Sequence, residues 1–242
     1  MSVELVNRQS FIKVLKDYKP SAEAKAILAD MPLVTLQGIT GAGRNTIIDY
    51  LVNSGKYHTI VSDTTRPPKL RDGRMEENGV QYFFRTEEQV LQDLQKGLFL
   101  EAELIHDQQV SGVSIRELKR AHESGAIPIN EVALEGCRNI EQAKPDTTFC
   151  FVVPPGYDIW MQRLTSREQM STVELANRTT SAIKEIEEAL ATERFHFVIN
   201  DTVEAAASRI DAIVEGQHDV QADAEGRTIA ERLLVDLRQH HG

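Results

Sequence analysis

The chain has 242 residues, 41% hydrophobic and 26% charged, a balance that suits a folded globular protein and not a disordered one. A formal net charge of −10 argues against a nucleic-acid binder, because a phosphate backbone rewards Lys and Arg. No run approaches the roughly 18 to 20 apolar residues of a membrane span, and the length suits one large α/β domain with a few added elements.

The first ~30 residues carry Leu5, Phe11, Ile12, Val14, Leu15, Ala24, Ile27 and Leu28 at helical spacing. Pro20-Ser21 between them reads as a break followed by an N-cap, so two short helices are expected. Their mixture of Glu, Asp and Lys with apolar residues is not that of a secretory signal. Two cysteines, Cys137 and Cys150, lie in apolar segments without metal-ligand spacing, and a reducing cytoplasm is the setting they fit.

Pro32-Leu-Val-Thr-Leu-Gln is a short β-prone run that stops at Gly38, and Thr46-Ile-Ile-Asp-Tyr-Leu-Val reads as the following helix. Between them lie Gly38, Ile39, Thr40, Gly41, Ala42, Gly43, Arg44, Asn45 and Thr46. Glycines in such a turn allow close backbone approach, and the N–H groups of the loop and helix start make a concave anion site. The usual phosphate-loop signature is glycine, four residues, glycine, lysine, then Ser or Thr. Here Arg44 and Asn45 take the last two places. The same spacing also suits a plain glycine-rich βα turn.

His58-Thr-Ile-Val-Ser is a second strand candidate, and Thr64 to Gly79 is rich in turn formers. Val80-Gln-Tyr-Phe-Phe and Phe99-Leu-Glu-Ala-Glu-Leu read as strands around a helical Glu87 to Gln95. Strand alternation puts Phe99, Glu101 and Glu103 on one face and Leu100, Ala102 and Leu104 on the other. Further helices are expected at Ser114 to Glu123, Asp158 to Leu164, Thr172 to Thr192 and Val203 to Glu215. Strands are expected at Ala126 to Val132, Thr148 to Val153 and His196 to Ile199. From Gln217 the tail begins polar and flexible, then ends in an amphipathic helix from Thr228 to Arg238. Alternating strands and helices imply βαβ units around a mainly parallel sheet.

Several fragments in order carry a family resemblance. Ser62-Asp-Thr-Thr-Arg66-Pro-Pro-Lys69 resembles the Ser-x-Thr-Thr-Arg-x-x-Arg segment of guanylate kinases, and the glycine-rich loop lies upstream of it. Tyr82 in Gly-Val-Gln-Tyr-Phe-Phe, the Phe99-Leu-Glu101 run, Ser111-Gly-Val-Ser, Val153-Pro-Pro155, the spacing of Arg163, Arg167 and Arg178, and Val198-Ile-Asn200-Asp201 continue it. The resemblance implies a P-loop three-layer α/β fold over residues 33–216, with a mainly parallel central sheet and a small mixed-strand monophosphate-binding subdomain at about 63–111. It also implies a helical lid at about 164–177, leaving residues 1–32 and 217–242 as added helical ends.

The function so implied is transfer of the γ-phosphoryl of ATP, with Mg²⁺, to GMP or a related monophosphate. Residues 38–46 and Asn200 would bind ATP, with Asn200 and Asp201 near its adenine, and Asn45 would offer its amide oxygen to Mg²⁺. Ser62, Arg66, Lys69, Tyr82, Glu101 and Glu131 would hold the monophosphate, with Glu101 reading guanine. Arg44, Arg163, Arg167 and Arg178 would act on the transferred phosphoryl. Several of these residues have a plainer reading as well: Arg66 and Lys69 on a solvated loop, Glu101 on the solvent face of a strand, and Arg163, Arg167 and Arg178 on the surface.

Four departures from the family pattern matter. Arg44 replaces lysine and Asn45 a hydroxyl; Ser111 replaces tyrosine; and Glu131-Val-Ala133 replaces Asp-x-Asp, lengthening one carboxylate and removing the other. They leave open a catalytically impaired nucleotide-binding or scaffold domain, and an enzyme with a different phosphorylated acceptor.

Overall fold

The computed structural model describes residues 5–71, 73–166 and 170–241. In chain order its elements are α1 (Arg8–Leu15), α2 (Ala22–Ala29), β1 (Val34–Gln37), α3 (Arg44–Asn53), β2 (Tyr57–Thr59), β3 (Asp63–Thr64), β4 (Leu70–Arg71) and β5 (Arg74–Met75). Then follow β6 (Phe83–Phe84), α4 (Glu87–Gln95), β7 (Phe99–Ile105), β8 (Gln109–Ser114), α5 (Ile115–Glu123), β9 (Ile127–Glu131) and α6 (Leu134–Ala143). The chain closes with β10 (Thr148–Val153), α7 (Tyr157–Thr165), α8 (Thr172–Leu190), β11 (His196–Ile199), α9 (Val203–Val214) and α10 (Val220–His241). They fall into two compact units, one of residues 1–33, 58–128 and 135–147, the other of residues 34–57, 129–134 and 148–242.

The second unit is built on a sheet in the order β11-β10-β1-β9-β2. The pairs β1–β10, β1–β9 and β10–β11 are parallel, as the alternating elements require. Val34, Leu36, Phe151, Val152 and Val153 are fully buried, consistent with strands that lie inside the layers and read as continuous apolar runs. Helices α7, α8, α9 and α10 add Trp160, Ile186, Ala189, Ile210, Leu233 and Leu237 to this core.

The first unit has a mixed sheet in the order β6-β3-β8-β7, with β7 at an edge. Phe11 of α1 packs with Val90 and Leu94 of α4 and with Phe99, Ala102 and Val110. A capping box at Thr86 and Gln89 starts α4, and the Ser21 hydroxyl caps α2 as expected. Among the described residues, no helix is long and apolar enough to cross a membrane.

Four expectations change. Only Phe83–Phe84 of the run from Val80 is strand, because Gly79 and Tyr82 close a turn through Gly79 N–H to the Tyr82 carbonyl at 2.8 Å. A register shift between Phe99 and Glu101 breaks the strict alternation, so Phe99 joins Ala102 and Leu104 in the core instead of sharing a face with Glu101. Gln109–Ser114 is a strand and Leu134–Ala143 a helix, neither of which the sequence reading separated from its surroundings. Finally, the tail is helical from Val220 and not from Thr228. The Asp219 carboxylate accepts from the N–H groups of Gln221 and Ala222, both at 3.0 Å, so its polar start is a capped helix end.

Candidate active site

In the second unit β1 runs into a loop whose shape depends on its glycines. A Cβ at Gly38 would lie 2.3 Å from the Val152 carbonyl oxygen, so only glycine lets the loop leave the sheet there. Gly43 has φ +95° and is the residue that opens α3. The loop is braced from outside by two buried side chains. Asn200 donates from Nδ2 to the Ala42 carbonyl at 2.7 Å, and the Trp160 indole donates to the Thr40 carbonyl at 2.8 Å. These bonds use loop carbonyls and leave N–H groups for an anion.

Asn200, expected beside adenine, is thus set against the loop itself, with its Oδ1 buried and without a hydrogen-bond partner. Ile39 and Ala42 are buried, whereas Thr40, Asn45 and Thr46 are exposed. Arg44 begins α3 and its guanidinium meets Glu131, at the end of β9, with Nη2 3.0 Å from Oε1. Two residues expected to serve different substrates are therefore partners here. Burial raises the pKa of Glu185 on α8; the charge of Arg44 opposes that shift and Glu131 adds to it.

Arg163 on α7 donates to the Asp201 carbonyl at 3.3 Å, and its Nη1 is buried with no partner. That desolvation lowers its pKa, so an incoming anion would relieve an under-satisfied charge. Arg178 sits on α8, where Glu174 one turn earlier takes its guanidinium at 2.6 Å. Arg167 lies outside the described residues.

Among the acceptor candidates of the first unit, Arg66 meets Tyr82 directly and Lys69 through a shared partner, Glu76. The Arg66 fork bonds Glu76 at 2.5 and 2.9 Å, both side chains being almost fully buried. Its guanidinium carbon also lies 4.8 Å from the Tyr82 ring centre and 5.6 Å from that of Phe84. Glu76 further accepts from the Lys69 backbone N–H at 2.9 Å, while the Lys69 side chain is exposed. Glu76 is a residue the sequence reading missed; an acid in a turn-rich loop gives no sign that it will anchor an arginine ten places away.

Ser62 is half-buried and its carbonyl accepts from Phe83 N–H. Ser111, in the tyrosine position, donates its hydroxyl to Thr64 at 2.7 Å. Asp63, also missed, is buried between Arg85 at 2.8 Å and Arg116 at 2.9 Å, and burial still raises its pKa.

Glu101 is not on a solvent face. It is 8% exposed and accepts from Val113 N–H at 3.1 Å. Burial, with the nearby charge of Glu103, pushes its carboxyl up to about 8. Such a group is suited to reading a base inside a pocket, since little water competes for it.

A model described as "Guanylate kinase" matches residues 30–217. The chain belongs to the guanylate kinase family. Relatives described as guanylate kinase from Corynebacterium efficiens and Corynebacterium glutamicum are each 34% identical over 186 residues, which is 76% of this chain and 95% of theirs. The crystal structure of guanylate kinase from Anaplasma phagocytophilum shares the fold, with a TM-score of 0.54 at 21% identity over 78% of this chain and 88% of that one. As a guanylate-kinase-like protein it is a nucleotide-binding phosphotransferase.

Proposed function

We propose that this chain transfers the γ-phosphoryl of ATP to GMP in the cytoplasm, and that the residues above divide the work. The observation that carries most weight is Glu101, a buried carboxylate in the same unit as Arg66 and Tyr82. Guanine presents a ring N–H and an exocyclic amino group that a carboxylate can accept together; adenine lacks the ring donor. Arg66, whose fork is held by Glu76, would turn its remaining N–H donors to the acceptor phosphate, with Lys69 adding a mobile charge and Tyr82 a hydroxyl.

The donor triphosphate would sit in the loop of residues 38–46, with backbone N–H groups on its oxygens. Arg44 and Arg163 would neutralise charge as it develops on the transferred group, with Arg167 and Arg178 assisting from the lid. Phosphoryl transfer asks little covalent chemistry of a protein, so positioned cations are its main tools. Mg²⁺ would arrive with ATP, held largely by phosphate oxygens and water. The exposed Asn45 amide oxygen and Thr46 hydroxyl fit that arrangement, and among the described residues no acidic or His/Cys cluster offers a resident metal site.

Two buried cysteines, with no disulfide among the described residues, suit the reducing setting. Nothing in the relatives favours a scaffold that has lost its chemistry. The test is a panel of nucleoside monophosphates with ATP and Mg²⁺. GDP formation from GMP, with little product from AMP or unrelated phosphorylated acceptors, is the expected result. Equal turnover of all acceptors would remove Glu101 from its role, and turnover of none would remove the enzymatic reading.

A further inference from the structure

The first unit holds a cavity of about 320 Å³ that shares only Glu101 with the residues proposed for phosphoryl transfer. Its walls come from Leu15, Tyr18, Lys19, Pro20 and Lys25 near the N-terminus, from the edge strand at Leu100 to Ala102, and from Asn139, Gln142 and Ala143 on α6. The N-terminal wall lies before residue 30, where the family match begins, so this cavity is a property of this chain's own extension.

That wall is fixed in place. The Tyr18 hydroxyl donates to the Phe99 carbonyl and accepts from the Phe99 N–H, both at 2.8 Å, which seals part of the free edge of β7. Ser21 N–H donates to the Gly97 carbonyl at 3.0 Å. Buried Lys144, just past α6, donates to the Leu28 carbonyl at 2.8 Å and ties the end of α2 to the opposite side. A pocket held open this way pays little ordering cost on binding.

The lining chemistry is specific. Leu15, Pro20, Leu100, Ala102 and Ala143 supply apolar surface, and Asn139 and Gln142 supply exposed amides. Lys19 and Lys25 stand exposed, without an ion pair among the described residues, in a protein of net charge −10. The volume is in the range of small-molecule sites.

We propose that this cavity is a binding site for a small organic anion with an apolar body, whose acid group meets Lys19 and Lys25. Because Glu101 borders the cavity, its occupant would touch the strand that carries the guanine reader. The proposal goes beyond the phosphotransferase reading and stands without it.

The test uses 8-anilinonaphthalene-1-sulfonate on the full-length native protein, read by fluorescence titration at low and high salt. Saturable one-to-one binding that weakens with salt is expected. Lys19→Gln with Lys25→Gln should weaken it by about tenfold and flatten the salt dependence. Ala143→Phe should fill the space and abolish it, with circular dichroism and the urea unfolding midpoint measured alongside to show that each variant is folded. Saturating GMP and ATP should leave the probe bound. Absence of binding, binding indifferent to both variants, or complete displacement by the nucleotides would each overturn the proposal. None of these readouts depends on whether the chain is a kinase.

Discussion

Arg44 and Glu131 form an ion pair, Nη2 to Oε1 3.0 Å, at the mouth of the phosphate loop. Both residues depart from the family pattern, one by gaining a planar fork and the other by gaining a methylene. The two departures meet in one contact. In the role proposed for Arg44, ATP would have to compete with that carboxylate.

Removing that competitor should help ATP. Glu131→Gln keeps the shape and deletes the charge, and a partly exposed pair is worth about 0.2–1 kcal/mol. A fall in KM for ATP of about twofold to fivefold is expected, with kcat little changed. Arg44→Ala should instead lower kcat by about 100-fold or more, as removal of a charge-stabilising donor does. Arg44→Lys should stay within about tenfold of wild type, since the charge is kept while the fork is lost. Steady-state kinetics with varied ATP checks all three.

In the role proposed for it, Glu101 would make acceptor binding depend on pH. Its folded pKa is raised from 4.5 to about 8, so the free protein holds it largely protonated at neutral pH. Accepting two guanine N–H groups requires the carboxylate, and binding should release a proton. KM for GMP should fall as pH rises from about 6.5 to 8.5. Calorimetry in buffers of different ionisation enthalpy should detect that proton, and Glu101→Gln should abolish both effects. The linkage to folding runs the other way. Between pH 4.5 and about 8 the folded state binds more protons at this site than the unfolded chain, so the site's contribution to stability declines as pH rises through that window.

The Arg66–Glu76 pair is buried, with side chains 7% and 1% exposed. Glu76→Ala would leave a guanidinium in place without its counter-ion, at a cost of about 3–5 kcal/mol. Added inorganic phosphate should recover part of that loss by taking the vacated side of the fork. The expected result is a larger phosphate-induced rise in Tm for the variant than for wild type. An equal rise would mean that Arg66 does not reach a phosphate.

How much of this could be read beforehand depends on the range of the interaction. Helices with caps and clean periodicity, such as α4 with Thr86 and α2 with Ser21, were legible because their determinants lie within one turn. The parallel core followed from short apolar runs between helices. Glu101 was found by its motif, but its burial was not, because the shift after Phe99 is set by pairing with β8 and not by its own sequence. The Arg44–Glu131 and Asn200–Ala42 contacts span long stretches of chain and leave no local trace. The tail helix was missed for another reason: its cap at Asp219 is local, but the polar residues from Gln217 read as flexible, and α10 runs on from there through Gly226.

That glycine supplies the last prediction. Helix α10 lies on edge strand β11, where Asp223 accepts from Phe197 N–H at 2.7 Å and Arg227 stacks 4.7 Å from the Phe197 ring centre. A Cβ at residue 226 would fall 2.7 Å from the Phe197 Cβ and 2.8 Å from its carbonyl oxygen. In an isolated helix Gly→Ala would stabilise by about 1 kcal/mol. Here it must lift the helix off the strand, loosening the Asp223 bond and the packing of Ala230, Leu233 and Leu237, all fully buried. Overpacking of this kind costs about 1–3 kcal/mol and outweighs the propensity gain. Urea unfolding should show Gly226→Ala less stable than wild type, and the exposed neighbour change Glu225→Ala within about 0.5 kcal/mol of it. The far end of α10 pairs Arg238 with Glu187 of α8 and stacks His240 on Tyr157 of α7 at 4.5 Å. Those helices carry Arg178 and Arg163, so Gly226→Ala should also raise KM for ATP at temperatures where the variant remains folded; an unchanged KM would restrict α10 to stability alone.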